Sequence, residues 1–281
     1  MKKRIYLVTF LSLFTLLVFG QHASEKKSTA SENVSILKKE FVIPNLNTIS
    51  HKIWVYVPPN YYQTSKKYPV IYMHDAQNLF DNTTSFIGEW GVDESLNAFF
   101  KNTGKGFIVV GIAHGGEERI NEYTPWPHKK YGGGKGKLYV NFLVNTLKPY
   151  IDAHYRTKKQ AKHTAIIGSS LGGLLSYYGG LQYPTIFGKI GALSPSFWFA
   201  DEVFDFTKTH GNTKKVRLYL LAGEKEGADM VADTKKITQL LQATGFPSKN
   251  IKTNIHPQGE HNEQFWKSEF LNVVSWLYNI N

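Results

Sequence analysis

Thr164 to Gly173 reads T-A-I-I-G-S-S-L-G-G. Ala165-Ile166-Ile167 is a short apolar run suited to a buried strand. Leu171, Leu174, Leu175 and Tyr178 then follow at helical spacing. Between them, Gly168-Ser169-Ser170-Leu171-Gly172 fits G-x-S-x-G in the strand–turn–helix setting of a nucleophile elbow. Glycines on both sides let strand and helix approach without a Cβ clash. Such a turn projects the Ser170 hydroxyl from the top of a sheet and aims the Leu171 N–H at developing negative charge. Read without its context, the same motif is a helix start with Ser169 or Ser170 as N-cap.

Working outward, the apolar runs 69–73 and 107–113 and the segments 189–193 and 217–221 resemble strands buried on both faces. Phe41–Ile43 and 52–57 precede them as strands, and 251–255 follows as the last. Helical spacing marks 91–100, 138–151, the segment around Ile237, Leu240 and Leu241, and 265–277. Strands alternating with helices predict an α/β fold with a mostly parallel central sheet and helices on both faces.

In such a sheet ligands bind beyond the carboxyl ends of the strands. The loops there hold His74-Asp75-Ala76-Gln77-Asn78, then His114 with Arg119 and Trp126, then Phe197-Trp198. Glu224-Lys225-Glu226 and His256 to Glu263 follow the last two strands. A serine hydroxyl needs a base, and the base an orienting carboxylate. In the order Ser…Asp/Glu…His, the histidine lies near the C-terminus. His261, in a glycine-containing loop, is preferred over His256 at the strand end. Glu226 is preferred as the acid, with Glu224 and Asp229 as alternatives. Two N–H donors must hold the oxyanion: Leu171 is one, and Gln77 is preferred over Ala76 for the other. Arg119, Trp126, Phe197 and Trp198 are candidate substrate-binding residues, with packing of long loops as their bland alternative. His74 and Asp75 lack a metal-ligand spacing, so no metal is expected. Gly132-Gly133-Gly134 lacks the strand–helix frame of a cofactor loop, so no cofactor is expected either.

The chain has 281 residues, 42% hydrophobic, no cysteine and a formal charge of +11. Met1-Lys2-Lys3-Arg4 precedes the apolar run Ile5–Phe19, and Gly20 closes it. That pattern is a signal peptide over 1–20, too short for a membrane span. Residues 21–37, rich in Ser, Lys and Glu, are expected to be a flexible leader, and 38–281 the folded domain. The excess lysines are scattered and no nucleic-acid motif accompanies them. The partner expected is therefore a small-molecule or glycan ester, with no nucleic acid and no stable membrane insertion after cleavage. The oligomeric state is left open.

Y-V-P-P-N-Y-Y, Y-P-V-I-Y-M-H-D-A-Q-N-L-F-D, G-S-S-L-G-G, the step from Gly223 to Glu226 and G-E-H-N-E-Q-F-W together resemble the Putative esterase family. That family includes enterochelin and other siderophore esterases, esterase D, and feruloyl and acetylxylan esterases. The resemblance spans residues 38–279. It implies an α/β-hydrolase fold and a serine esterase with Ser170 as nucleophile, His261 as base and Glu226 as acid. The expected activity is hydrolysis of a siderophore ester or of an acylated (feruloyl or acetyl) polysaccharide by an exported enzyme, periplasmic or extracellular. The alternatives are an acyltransferase with the same triad, a peptidase on the same fold, and a catalytically silent binding protein. Many relatives carry glycine where Ala76 stands, and the Ala76 side chain narrows the approach to the second oxyanion donor.

Overall fold

A computed structural model describes residues 27–280 of the chain. The stretch expected to be a signal peptide, and residues 21–26 of the expected leader, lie outside the described residues. The twelve strands described are β1 Val34–Ile36, β2 Phe41–Val42, β3 Ser50–His51, β4 Ile53–Tyr56, β5 Val70–His74, β6 Ile108–Ile112, β7 Pro127–His128, β8 Gly132–Gly133, β9 Thr164–Ser169, β10 Lys189–Leu193, β11 Arg217–Gly223 and β12 Ile251–His256. The α-helices are α1 Val92–Thr103, α2 Arg119–Tyr123, α3 Gly136–Phe142, α4 Lys148–His154, α5 Leu171–Gln182, α6 Glu202–His210, α7 Ala228–Ala243 and α8 Glu263–Tyr278.

Eight strands form one sheet in the order β1-β4-β6-β5-β9-β10-β11-β12. β1, β4 and β6 pair antiparallel. From β6 onward every pairing is parallel. This is the α/β-hydrolase architecture that the sequence implies. Side chains alternate across a strand, and that period sorts the core into two halves. Ile166 of β9 and Leu218 and Leu220 of β11 join the half that packs against α3 to α7. Ala165 and Ile167 of β9 and Tyr219 and Leu221 of β11 join the half beneath α1 and α8. Both faces of the sheet are therefore dry, which is why its central strands read as near-continuous apolar runs.

Two local features depart from the sequence reading. The single helix expected over 138–151 is α3 and α4 joined by a π-helical stretch, Leu143–Leu147. Pro149, which lacks an N–H, follows that stretch directly, where its missing donor breaks the ordinary ladder of the continuous helix. The described part of the expected flexible leader is anchored. Val34–Ile36 adds to the sheet edge beside β4. Ahead of it, the Ser28 hydroxyl donates to Asp81 and the Ser31 amide to Asp93. Its polar composition serves those hydrogen bonds, so a segment with little to bury is still held.

Candidate active site

The elbow forms where β9 meets α5. Ser170 adopts φ 56° and ψ −125°, a conformation that L side chains rarely take and that surrounding structure must enforce. Its amide donates to the Leu193 carbonyl and its carbonyl accepts from the Ser196 amide, which fixes the turn to the end of β10. A Cβ on Gly168 would lie 2.6 Å from the Gly172 oxygen and 2.8 Å from the His74 ring, so glycine is required for the strand to pass this close to the helix.

His261 sits in the loop between β12 and α8. Its Nε2 lies 2.9 Å from Ser170 Oγ, and its Nδ1 lies 2.7 Å from Glu226 Oε2. A carboxylate only accepts, so the neutral ring carries its proton on Nδ1 and leaves Nε2 to accept from the serine hydroxyl. The Glu226 side chain is fully buried. Its Oε1 accepts from Ser194 Oγ and from the Gly223 amide, each at 2.7 Å. Trp266 Nε1 donates to the same Ser194 hydroxyl at 2.9 Å, and its ring stands edge-on to His261 at 5.1 Å. The competitors lie elsewhere. Glu224 and Asp229 are exposed. The His256 ring packs on Phe265, and its Nδ1 accepts from the Gln258 amide.

Ahead of the serine, β5 ends in His74 and the chain turns through Asp75 into a 3-10 turn over Ala76–Asn78. Asp75 has φ 56°, and its amide donates to the Tyr123 hydroxyl. Arg119 grips its carboxylate with two parallel bonds of 2.7 and 2.9 Å. Burial works to raise the Asp75 carboxyl, but the Arg119 charge and hydrogen bonds outweigh it, leaving the carboxyl below its ordinary range. His74, wholly buried, is pushed down to about 4 by desolvation and stays neutral. Among the described residues, the amides of Gln77 and Leu171 have no acceptor. Both lie in the first turn of a helical segment, where N–H groups are free by construction.

A cavity of about 290 Å³ opens over the serine. Arg119, His114, Gln77 and Glu263 supply polar walls, while Phe86, Ile87, Trp90 and Trp266 supply apolar ones. A larger depression of about 730 Å³ lies around Lys66, Lys105 and Phe107, at the amino ends of the strands. The serine's cavity is at the carboxyl ends, where sheets of this kind bind ligands. Of the four residues expected to bind substrate, only Arg119 reaches that cavity. Phe197 is 0% exposed and packs on Tyr177, because its 3-10 turn tucks back onto α5. Trp126 packs between Tyr178 and Phe206. Trp198 is exposed, but it stands in a separate group with His128, Tyr131 and Phe199. The lip residues that replace them, Phe86 and Ile87, are 85% and 75% exposed. They come from the turn-like stretch D-N-T-T-S-F-I-G, where adjacent exposed apolar side chains were the available signal.

The family model described as Putative esterase matches residues 47–277. Uncharacterized protein YbbA of Bacillus subtilis is 29% identical over 247 residues, covering 83% of this chain and 94% of its own. Iron(III) salmochelin esterase of Escherichia coli O6:H1 is 25% identical over 245 residues, 81% of this chain and 54% of the relative. Among solved structures, the BES protein from Bacillus cereus superposes with a TM-score of 0.70 at 19% identity, covering 90% of this chain and 97% of that one. At that identity the likeness speaks for the fold.

Proposed function

The chain belongs to the Putative esterase family and is an esterase, and from that premise we propose that it hydrolyses carboxylic esters through a Ser170–His261–Glu226 triad. The observation that carries this reading is the unbroken line of hydrogen bonds from Glu226 Oε2 through the His261 ring to Ser170 Oγ, 2.7 and 2.9 Å. Ser170 Oγ attacks the ester carbonyl as its proton passes to His261 Nε2. Glu226 remains ionised and stabilises the imidazolium that forms. The Leu171 and Gln77 amides receive the oxyanion of the tetrahedral intermediate. The intermediate collapses as His261 returns the proton to the leaving alcohol, which departs and leaves Ser170 acylated. Water, deprotonated by the same nitrogen, repeats the attack and releases the acid.

The relatives and the cavity support a substrate class. A space of about 290 Å³ takes one acyl or alkyl branch. The bulk of a larger ester rests outside, on Phe86 and Ile87. A siderophore ester agrees with the likeness to Iron(III) salmochelin esterase, and an acylated polysaccharide presents a small branch on a large body. Export is part of the reading, carried by the basic start and the apolar run ahead of Gln21. Among the described residues no helix is long and apolar enough to cross a membrane.

The test is Ser170→Ala, assayed with p-nitrophenyl acetate and with a panel of ferric enterobactin, methyl ferulate and acetylated xylan. A loss of several orders of magnitude with the fold intact is expected. An active alanine variant overturns the assignment.

A further inference from the structure

Within the serine's cavity one charged group is left over by the triad. Asp75 and Arg119 cancel each other through their double hydrogen bond. Desolvation lowers both His74 and His114, which favours their neutral forms. Glu263 also lines the cavity and is only 5% exposed. Among the described residues no Lys, Arg or His nitrogen lies within ion-pair distance of its carboxylate. Lys267, one turn further along α8, reaches toward Gly91 and Glu94 instead. Burial raises the Glu263 carboxyl and the Asp75 charge adds to it, opposed by its own amide, His261 and Arg119. Helix capping does not require this side chain, because Asn262 already accepts from the Phe265 amide at 2.9 Å.

We infer that Glu263 sets the charge preference of the site, admitting an ester whose branch carries a hydroxyl or ammonium donor and turning away one that carries a carboxylate. This rests on the serine-esterase reading above. A donor group from the substrate supplies the partner that the protein withholds from this carboxylate. An anionic branch brings like charges together in a half-enclosed cavity, where repulsion of about 1.4 kcal/mol is worth roughly tenfold in rate. The preference runs against the sign of the whole chain, which carries a formal charge of +11. The long-range field draws anions toward the protein, while the cavity wall selects against them.

The experiment compares kcat/KM for matched esters in two series. One varies the acyl group, p-nitrophenyl butyrate against the mono-p-nitrophenyl ester of succinate. The other varies the alcohol, with isopentyl acetate, glycerol monoacetate, acetylcholine and O-acetylglycolate followed by pH-stat. The wild type is expected to disfavour the carboxylate-bearing member of at least one series by tenfold or more. In that series Glu263→Gln should raise the anionic-to-neutral ratio about tenfold, and Glu263→Lys should raise it further. A residue serving only the helix terminus would change the denaturation midpoint and leave the ratio alone. The same ratio in the wild type and both variants, while neutral esters are still turned over, overturns this inference and leaves the triad standing. No hydrolysis of any ester by the wild type overturns the triad, and this inference with it.

Discussion

Ser194 donates its hydroxyl to Glu226 Oε1 at 2.7 Å, and the Trp266 indole donates to that same hydroxyl at 2.9 Å. The acid is therefore oriented by a residue at the end of the neighbouring strand β10, which itself sits at φ 44°. Replacing Ser194 with alanine removes one of the bonds that fix the carboxylate and leaves the indole N–H without its acceptor. The expected result is a fall in kcat of roughly tenfold with KM little changed, as when a supporting partner of a site residue is lost. Stability should drop by about 1–3 kcal/mol from the unsatisfied donor. Steady-state kinetics and urea unfolding on one preparation check both parts. Unchanged kcat would mean that the Gly223 amide alone suffices to hold Glu226.

Glu226 and Glu224 lie two residues apart, one with its side chain enclosed and the other exposed. Glu226→Gln keeps the size but presents an amide to His261, which allows the wrong ring tautomer. A loss of about 10³–10⁴ in kcat is expected. Glu224→Gln should stay within a few-fold of the parent. A larger loss from Glu224 would reassign the acid.

How much of this was legible beforehand depended on whether a role followed from local pattern. The central strands announced themselves because burial on both faces leaves no polar alternation to obscure them. Ser170, Glu226 and His261 each follow a strand end in a fixed chain order, and order survives in a sequence. The cavity walls do not. Phe197 and Trp198 are neighbours in a loop after β10, yet a single 3-10 turn buries one and sends the other to a different aromatic group. No local signal says which way such a turn faces. Ser194 likewise reads as an ordinary loop serine until Trp266, 72 residues away, is seen against it. The anchoring of Ser28 and Ser31 is hidden for a related reason: their hydrogen bonds go to Asp81 and Asp93, more than fifty residues distant.

Gly223 and Gly259 bring the acid's strand and the base's loop into contact. A Cβ on Gly223 would fall 2.2 Å from the Gly259 oxygen, and one on Gly259 would fall 2.5 Å from the Phe265 ring. Gly223→Ala therefore forces the His261 loop outward, against backbone that has no rotamer to yield. Overpacking of this kind costs about 1–3 kcal/mol. Displacing the imidazole by about 1 Å should lower kcat by roughly a hundredfold. A variant that unfolds at the wild-type midpoint with full activity would show that the loop can shift without moving the base.

Asp75 and Arg119 provide the acid-pH test. The Asp75 carboxyl lies below its ordinary value of 3.8 because the guanidinium outweighs the effect of burial. A carboxyl depressed by folding contributes stability that is complete above its unfolded value and is lost as pH falls through the folded one. Asp75→Asn removes that contribution while tolerating φ 56°, since asparagine adopts the left-handed region readily. The wild type should exceed the variant by about 1–3 kcal/mol at pH 7, between the ranges for exposed and buried pairs because Arg119 remains 27% exposed. The gap should narrow only below pH 3.8, where the carboxyl of the unfolded chain takes up a proton before the folded one does. Loosening the turn at Asp75 should also reduce kcat, because the Gln77 amide follows it by two residues. Urea midpoints from pH 2.5 to pH 7 read the first effect, and ester hydrolysis at pH 7 reads the second. A gap that stays constant down to pH 2.5 would show that packing, rather than the ionised pair, anchors the turn.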